Sequence, residues 1–482
     1  MGDLVVIGAG PAGVTAACRA AELGARTILV TQGAFGGMAA HDGPVPVRAL
    51  AHAARLFREA RQLGEYGIGA GELRLDCPRL LARAREIVHD ISDHTILRGH
   101  VDELGVETHE HAGSVRFLDP HTIETGAGQH FRAHQFILCT GGTSRRLDVP
   151  GAQLTSTHGA AWTLTQAPPS MIVVGAGATG VQVASVFSAF GTQVQLFQAG
   201  PRILATEDEA VSHAVAAAFR ERGMLVRENL GAVEAFEKRP DGVRMHYSCD
   251  GVRQTADAAV AVVAVGWTAD TAGLALAACG VETDRRGFVR VDARQRTTAQ
   301  HIYAAGDVTG RLMLVPQAIN AGYVAASNAV GGAGLTADHR VNPVGGFTDP
   351  EFAHVGLTEA EARREHAVQV VTLPFGVAPR AIIDGRTSGF CKLVVERDTH
   401  RILGCHVVGE QAAEIVQLAA VTMGAGMSAD ELSRIPLSFP TYAEILSRAA
   451  FVAVHPADGH RTDLRFIFDA STQWPSQTTP GQ

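Results

Sequence analysis

The sequence predicts an α/β protein in which a strand–turn–helix–strand unit occurs twice and is followed by a C-terminal block of strands and helices. Three observations predict it. Two short apolar strands, 3–7 and 171–174, each run straight into a G-x-G-x-x-G turn. Each turn opens a helical pattern that a glycine ends and a second apolar strand follows. The length, 482 residues with 46% apolar residues, suffices for about three domains with large buried cores.

The first unit runs from strand 3–7 through Gly8-Ala9-Gly10-Pro11-Ala12-Gly13 into a helix that reaches Leu23. Gly24 stops it, and 27–30 is the next strand. Helical patterns follow at about 46–63 and 78–92, then a strand-rich part at about 95–138. The second unit has strand 171–174, the turn Gly175-Ala176-Gly177-Ala178-Thr179-Gly180, a helix to Phe190, the stop Gly191, and strand 194–197. Mixed elements continue to about 335. The stretch Asn342-Pro343-Val344-Gly345-Gly346 reads as a junction before a block that alternates strands and helices to about 455. From Pro456 the chain is polar and aperiodic, which predicts a frayed or surface-bound tail.

Each residue of the glycine turns has a physical task. The first glycine permits the sharp turn, the second lets backbone approach a pyrophosphate, and the third lets helix and strand pack closely. The helix start then offers free N–H groups and the positive end of its dipole to phosphates. With a strand before and a strand after, both turns predict dinucleotide binding. An acidic residue usually ends the following strand and bonds the adenosine ribose. Here Thr31 and Gln198 stand there, both neutral. Gln198 does not repel a 2′-phosphate, and Arg202 is either a partner for that phosphate or a solvated charge. NADH against NADPH stays open.

Composition excludes several classes. The net charge is −8 and no long basic run exists, which argues against nucleic-acid binding. No apolar run is long enough to span a bilayer, and no signal peptide precedes the first strand. The 7 cysteines (18, 77, 139, 249, 279, 391, 405) show no C-x-x-C or C-x-x-x-x-C spacing and read as reduced thiols of a cytoplasmic protein. Cys391 and Cys405 lie equally far from a turn near Asp398, so they either face each other across two strands or simply fill the core. Histidines gather at 89, 94, 100, 109, 111, 121, 130 and 134. His109 and His111 would share a face of a strand, but no third metal ligand stands at a known spacing, so they read as surface residues and no metal site is assigned.

Six stretches together resemble the pyridine nucleotide–disulfide oxidoreductase family. They are residues 6–13; residues 36–50, Gly36-Gly37-Met38-Ala39-Ala40-His41-Asp42-Gly43-Pro44-Val45-Pro46-Val47-Arg48-Ala49-Leu50, similar to the family's redox segment; Thr140-Gly141-Gly142 with Pro150-Gly151; residues 175–180; residues 298–307, ending in Ala304-Ala305-Gly306-Asp307; and Phe439-Pro440-Thr441-Tyr442-Ala443-Glu444. The resemblance spans residues 1 to about 455. It implies two Rossmann-like dinucleotide-binding domains plus a C-terminal α+β dimerisation domain: FAD binding at 1–150 and 270–335, NAD(P) binding at 151–269, a homodimer interface at 340–455, and a tail. It implies FAD and NAD(P)H as cofactors, with Asp307 on the ribityl chain, Gly266 in the nucleotide site, and Pro316, after 312–315, opening a helix aimed at the flavin pyrimidine. Trp267, where the family has arginine, reads equally as a stacking partner or a core indole.

The chain departs from the family pattern where electrons would leave. Ala39 and Pro44 occupy the two cysteine positions, so neither thiolate forms. Phe439 stands in place of a histidine, and Glu444 has lost that partner. Arg48 and Gln182 replace a lysine–glutamate pair near the flavin, leaving a charge less compensated, or Arg48 points to solvent or phosphate. The expected activity is FAD-dependent transfer from NAD(P)H to a small non-disulfide acceptor such as a quinone. Soluble pyridine nucleotide transhydrogenation is the alternative, and a non-catalytic nucleotide-holding sensor or scaffold is the third.

Overall fold

The computed structural model describes residues 2–69, 71–94, 96–339 and 341–455; the tail expected from Pro456 lies outside them. The chain divides into two compact units. One holds residues 1–203 and 223–339, the other 204–222 and 340–482. The stretch 204–222, which the sequence reading places inside the NAD(P)-binding domain, thus folds with the C-terminal block.

In the first unit, strand Gly2–Ile7 lies between Thr27–Val30 and His130–Leu138, all parallel, and Glu107–His109 extends the sheet beyond Thr27–Val30. Ile302–Ala304 adds a parallel strand on His130–Leu138. Leu4, Val5, Val6 and Ile7 are all buried, the near-continuous apolar run expected of a parallel strand covered on both faces. Helix Pro11–Glu22 starts with proline at its first turn, where no N–H is needed, and ends before Gly24 at φ +86°. Helix Val315–Gly331 crosses it so closely that a Cβ at Gly322 would lie 2.2 Å from Ala12 O. The second dinucleotide unit repeats the plan. Four parallel strands stand in the order Leu225–Arg227, Gln193–Phe197, Ser170–Val174, Val260–Val263, with helix Ala178–Ala189 after the turn.

The second unit is an antiparallel five-stranded sheet in the order Val344–Gly346, Phe352–Gly356, Ile402–Val408, Phe390–Glu396, Val368–Pro374. Helices Ala412–Gly424 and Glu444–Val454 supply the rest of its core. Helix Glu209–Glu221 belongs here because its apolar residues Val211, Val215 and Phe219 are buried and its N-terminus is moored by ions. Lys392 Nζ lies 2.8 Å from Asp208 Oδ1 and 2.7 Å from Glu359 Oε2, nearly out of solvent. His354 Nδ1 meets the buried Glu207 carboxylate at 2.5 Å.

Several local expectations need correction. The part at 95–138 is not all strand: Ile96–Glu103 is a helix, and strands begin at Glu107. Strand Glu107–His109 ends before His111, which adopts left-handed φ +52°, so the two histidines do not share a strand face. Val344–Gly346 is an edge strand rather than a bare junction. Cys391 and Cys405 stand on neighbouring strands of one core but are not opposite. Cys391 pairs with Val407 and Leu393 with Cys405, so the two cysteines are offset by two positions in the register. Both are fully buried free thiols, and the neighbouring Cys391 thiol and burial push Cys405 well up.

Candidate functional site: two glycine turns and the segment beside them

The first glycine turn matches its physical logic atom by atom. A Cβ at Gly8 would lie 2.2 Å from Cys139 O, and one at Gly13 would lie 1.8 Å from Gly8 O. Both places are therefore closed to side chains by the fold itself. Gly10, the middle glycine, has nothing within 4 Å of its would-be Cβ and an ordinary extended φ of −76°. Neither strain nor crowding demands a glycine there, whereas close approach of a pyrophosphate to the backbone would. The second turn repeats the pattern: Gly175 would collide with Ala264 O at 2.3 Å and Gly180 with Gly175 O at 1.8 Å, while Gly177 faces open space. Ala12 and Thr179 sit in the first turns of the two helices.

Other expected residues gather on the first turn. Gly36 N donates to Ala9 O at 2.9 Å, and a Cβ at Gly37 would lie 2.9 Å from Gly10 Cα. Gly306, at φ +79°, packs on Ala12, its would-be Cβ 3.1 Å from the alanine methyl. That contact sets Asp307 beside the turn. Burial alone pushes the Asp307 carboxyl up to about 6, with no cation or donor to relieve it. A half-buried acceptor lacking protein donors fits the hydroxyls of a ribityl chain, so the residues present suit FAD. Gly142 closes the same corner, its would-be Cβ 3.7 Å from Asp307 Cβ, while Thr140 Oγ1 donates to Asp270 O and Gly141 turns at φ +79°. Pro316 opens helix Val315–Gly331.

Thr31 is buried: its N–H donates to His109 O and its carbonyl accepts from Ala112 N. The acid near this loop is Glu110, which accepts from Phe35 N at 3.1 Å and pairs with Arg98. In the sequence Glu110 stands between His109 and His111, and no spacing rule singles it out. Among the described residues no group of three or more ligating side chains is placed to hold a metal ion. The described histidines of that cluster are exposed or half-buried.

In the nucleotide unit, Gln198 Oε1 accepts from Ala176 N at 2.9 Å. Its amide oxygen is thus committed to the glycine turn and its NH2 remains as donor. Arg202 is half-buried. Gly266 turns at φ +114°, and Trp267 is half-buried, edge-on to His158 with ring centroids 5.0 Å apart. Helix Pro44–Ala60, which carries the exposed Arg48, packs on helix Ala178–Ala189, which carries Gln182; the Gln182 amide donates to Ala178 O at 2.8 Å.

Phe439 and Glu444 belong to the second unit. Phe439 is 63% exposed. Glu444 is 6% exposed, and its Oε1 lies 2.9 Å from Arg448 Nη2 one helical turn on. Burial raises the Glu444 carboxyl, opposed by Arg448. The sequence reading missed Arg448, although the i,i+4 spacing signals such a pair.

Comparison with known proteins follows the same division. The family model described as "Pyridine nucleotide-disulphide oxidoreductase" matches residues 2–322, and that of the family's dimerisation domain matches 342–450. Dihydrolipoyl dehydrogenase of Thermus scotoductus is 34% identical over 460 residues, covering 93% of this chain and 96% of that one. Mercuric reductase of Bacillus cereus is 30% identical over 452 residues, 93% of this chain and 70% of that one. Among solved structures, the HOCl-induced flavoprotein disulfide reductase RclA from Escherichia coli superposes with a TM-score of 0.83 at 25% identity, covering 93% and 99% of the two chains. No helix among the described residues is long and apolar enough to cross a membrane. Two closed-open-closed glycine turns, a half-buried aspartate beside the first, and a separate dimerisation unit lead to one conclusion: the chain belongs to the pyridine nucleotide–disulphide oxidoreductase family, FAD- and NAD(P)H-dependent oxidoreductases.

Proposed function

We propose that this chain is an FAD-dependent NAD(P)H oxidoreductase that delivers electrons to a diffusible, non-disulfide acceptor such as a quinone. FAD binding falls to 1–150 and 270–335, NAD(P) binding to 151–203 and 223–269, and the dimer interface to 340–455, with 204–222 folded onto that block. The observation that carries the reading is the absence of sulfur at 39 and 44, on the segment packed against the first glycine turn. Bound FAD supplies a two-electron carrier between nicotinamide and acceptor. The chain's thiols nearest that turn do not replace the pair. Burial pushes Cys139 up to about 12 and Cys18 up to about 11, so neither forms a thiolate at working pH. Ala39 and Pro44 leave an apolar, nucleophile-free surface that suits a flat apolar acceptor. Exposed Phe439 would add to it from the other subunit. Asp307 and the open backbone at Gly10 hold the cofactor, and Gly177 and Gln198 receive the nucleotide.

The test is anaerobic stopped flow. Purified protein is mixed with NADH or NADPH while flavin absorbance is followed, then with 2-methyl-1,4-naphthoquinone or with oxidised glutathione, lipoamide or Hg(II). Bleaching by a nucleotide and recovery with the quinone support the reading. Turnover with a disulfide or Hg(II), or no bleaching at all, overturns it. One observation favours a second reading, transhydrogenation: the Gln198 NH2 neither repels a 2′-phosphate nor excludes a 2′-hydroxyl. Equal reduction by both nucleotides would move the assignment there.

A further inference from the structure

Residues 39–44 carry no covalent staple, yet three contacts converge on one residue of that stretch. Trp162 Nε1 donates to the Asp42 carbonyl at 3.1 Å. The Asp42 carboxylate lies against the next helix, His158–Trp162, so tightly that a Cβ at Gly159 would sit 2.8 Å from Oδ1. The imidazole of His158, 5% exposed, completes the group: Nδ1 meets Ser144 Oγ at 3.2 Å, and Trp267 packs on its edge. Burial lowers the His158 imidazole, opposed by Asp42. The Trp162 indole is itself fixed, 4% exposed and stacked parallel on Phe187 of helix Ala178–Ala189, with centroids 6.1 Å apart. Asp42 N and Gly43 N both donate to Met38 O, at 2.9 and 2.7 Å, closing the short helix Gly37–His41. Pro44 then opens the following helix with its φ already set.

We propose that Trp162, with Gly159 and His158, grips Asp42 as a non-covalent clamp, which fixes the stretch from Ala39 to Pro44 against the dinucleotide turn and so shapes the acceptor surface. A cross-link between 39 and 44 would fix this stretch by removing its alternatives; alanine and proline do not, and the buried indole N–H does so by hydrogen bond instead. That the stretch faces the acceptor rests on the function proposed above; that it is clamped does not. Trp162 and Asp42 are positioning residues: neither needs to touch a substrate.

The experiment compares FAD-loaded wild type with Trp162→Phe, which keeps the stacked ring and removes only the N–H, and with Asp42→Ala, which removes only the carboxylate. Hydrogen exchange followed by mass spectrometry reads peptides covering residues 36–46, and steady-state kinetics uses 2-methyl-1,4-naphthoquinone. Exchange at Asp42 and Gly43 should accelerate about fivefold to tenfold in each variant, with the remainder of the first unit unchanged. KM for the quinone should rise by a similar factor, while the rate of flavin reduction by nucleotide stays within about twofold. Unchanged exchange in residues 36–46 in both variants, or acceleration spread evenly over the unit, overturns the clamp. If wild type fails to reduce the quinone while exchange at 42 and 43 responds as stated, the clamp stands and the proposed acceptor falls.

Discussion

Asp307 offers the most direct test of the cofactor site, because its half-buried carboxyl has no cation or donor beside it. The carboxyl sits at about 6 against an ordinary 3.8, a difference of about two units. At 1.36 kcal/mol per unit, the flavin-free chain pays about 3 kcal/mol for ionising it above pH 6. The folded chain binds the proton more tightly than the unfolded one, so stability is greatest below the unfolded value and falls as pH rises from about 4 through about 6. Asp307→Asn removes the charge and keeps an acceptor oxygen. Flavin-free Asp307→Asn should therefore melt about 4 °C above flavin-free wild type at pH 7.5 and at nearly the same temperature at pH 4. FAD affinity should move the other way, weakening about tenfold, since a carboxylate accepts from hydroxyls more strongly than an amide does. Differential scanning fluorimetry across pH 4–8 and fluorescence titration with FAD measure both. A variant less stable than wild type at pH 7.5, or one whose gain is independent of pH, would refute the reasoning.

Three further outcomes follow from the same geometry. Gly177→Ala should fold and retain flavin, because its Cβ meets nothing within 4 Å and its φ is −75°, yet flavin reduction by nucleotide should slow at least tenfold; Gly180→Ala, whose Cβ would lie 1.8 Å from Gly175 O, should fail to accumulate as folded protein on size-exclusion chromatography. Gln198→Glu should raise the KM ratio of NADPH to NADH about tenfold or more, by setting a carboxylate against the 2′-phosphate. Glu444→Gln keeps the side chain's shape and removes a charge that burial already opposes, so stability in urea denaturation should change by less than about 1 kcal/mol, with flavin reduction unchanged.

Much of this arrangement was legible in the sequence because it depends on local rules. Gly8, Gly10 and Gly13, and their counterparts at 175, 177 and 180, act within a few residues of one another, so spacing alone exposes them. Ends of strands and helices near Gly24 and Gly191 follow from backbone freedom in the same way. The grip on Asp42 was not legible, because Trp162 reaches it across 120 positions of chain and no pattern joins an indole to a carbonyl. The offset of Cys391 from Cys405 depends on where the turn is centred and on one bulge, and counting from Asp398 foresees neither. The Glu444–Arg448 pair had a visible spacing but was eclipsed by the missing histidine at 439. Helix Glu209–Glu221 reads by order as part of the nucleotide domain, and only the tertiary pairing with Lys392 assigns it elsewhere.

That last pairing governs how the molecule can be divided. The chain passes between its two units near 203, 222 and 339, so no single cut separates them. Cleavage near 339 would strand Val211, Val215 and Phe219 on the nucleotide fragment without the sheet that covers them. A fragment starting at 341 would lack Asp208, one of the two carboxylates that pair with Lys392. By the same logic, a harmful substitution at Asp208 or Phe219 would map by position to nucleotide binding, yet its damage would appear as impaired subunit assembly.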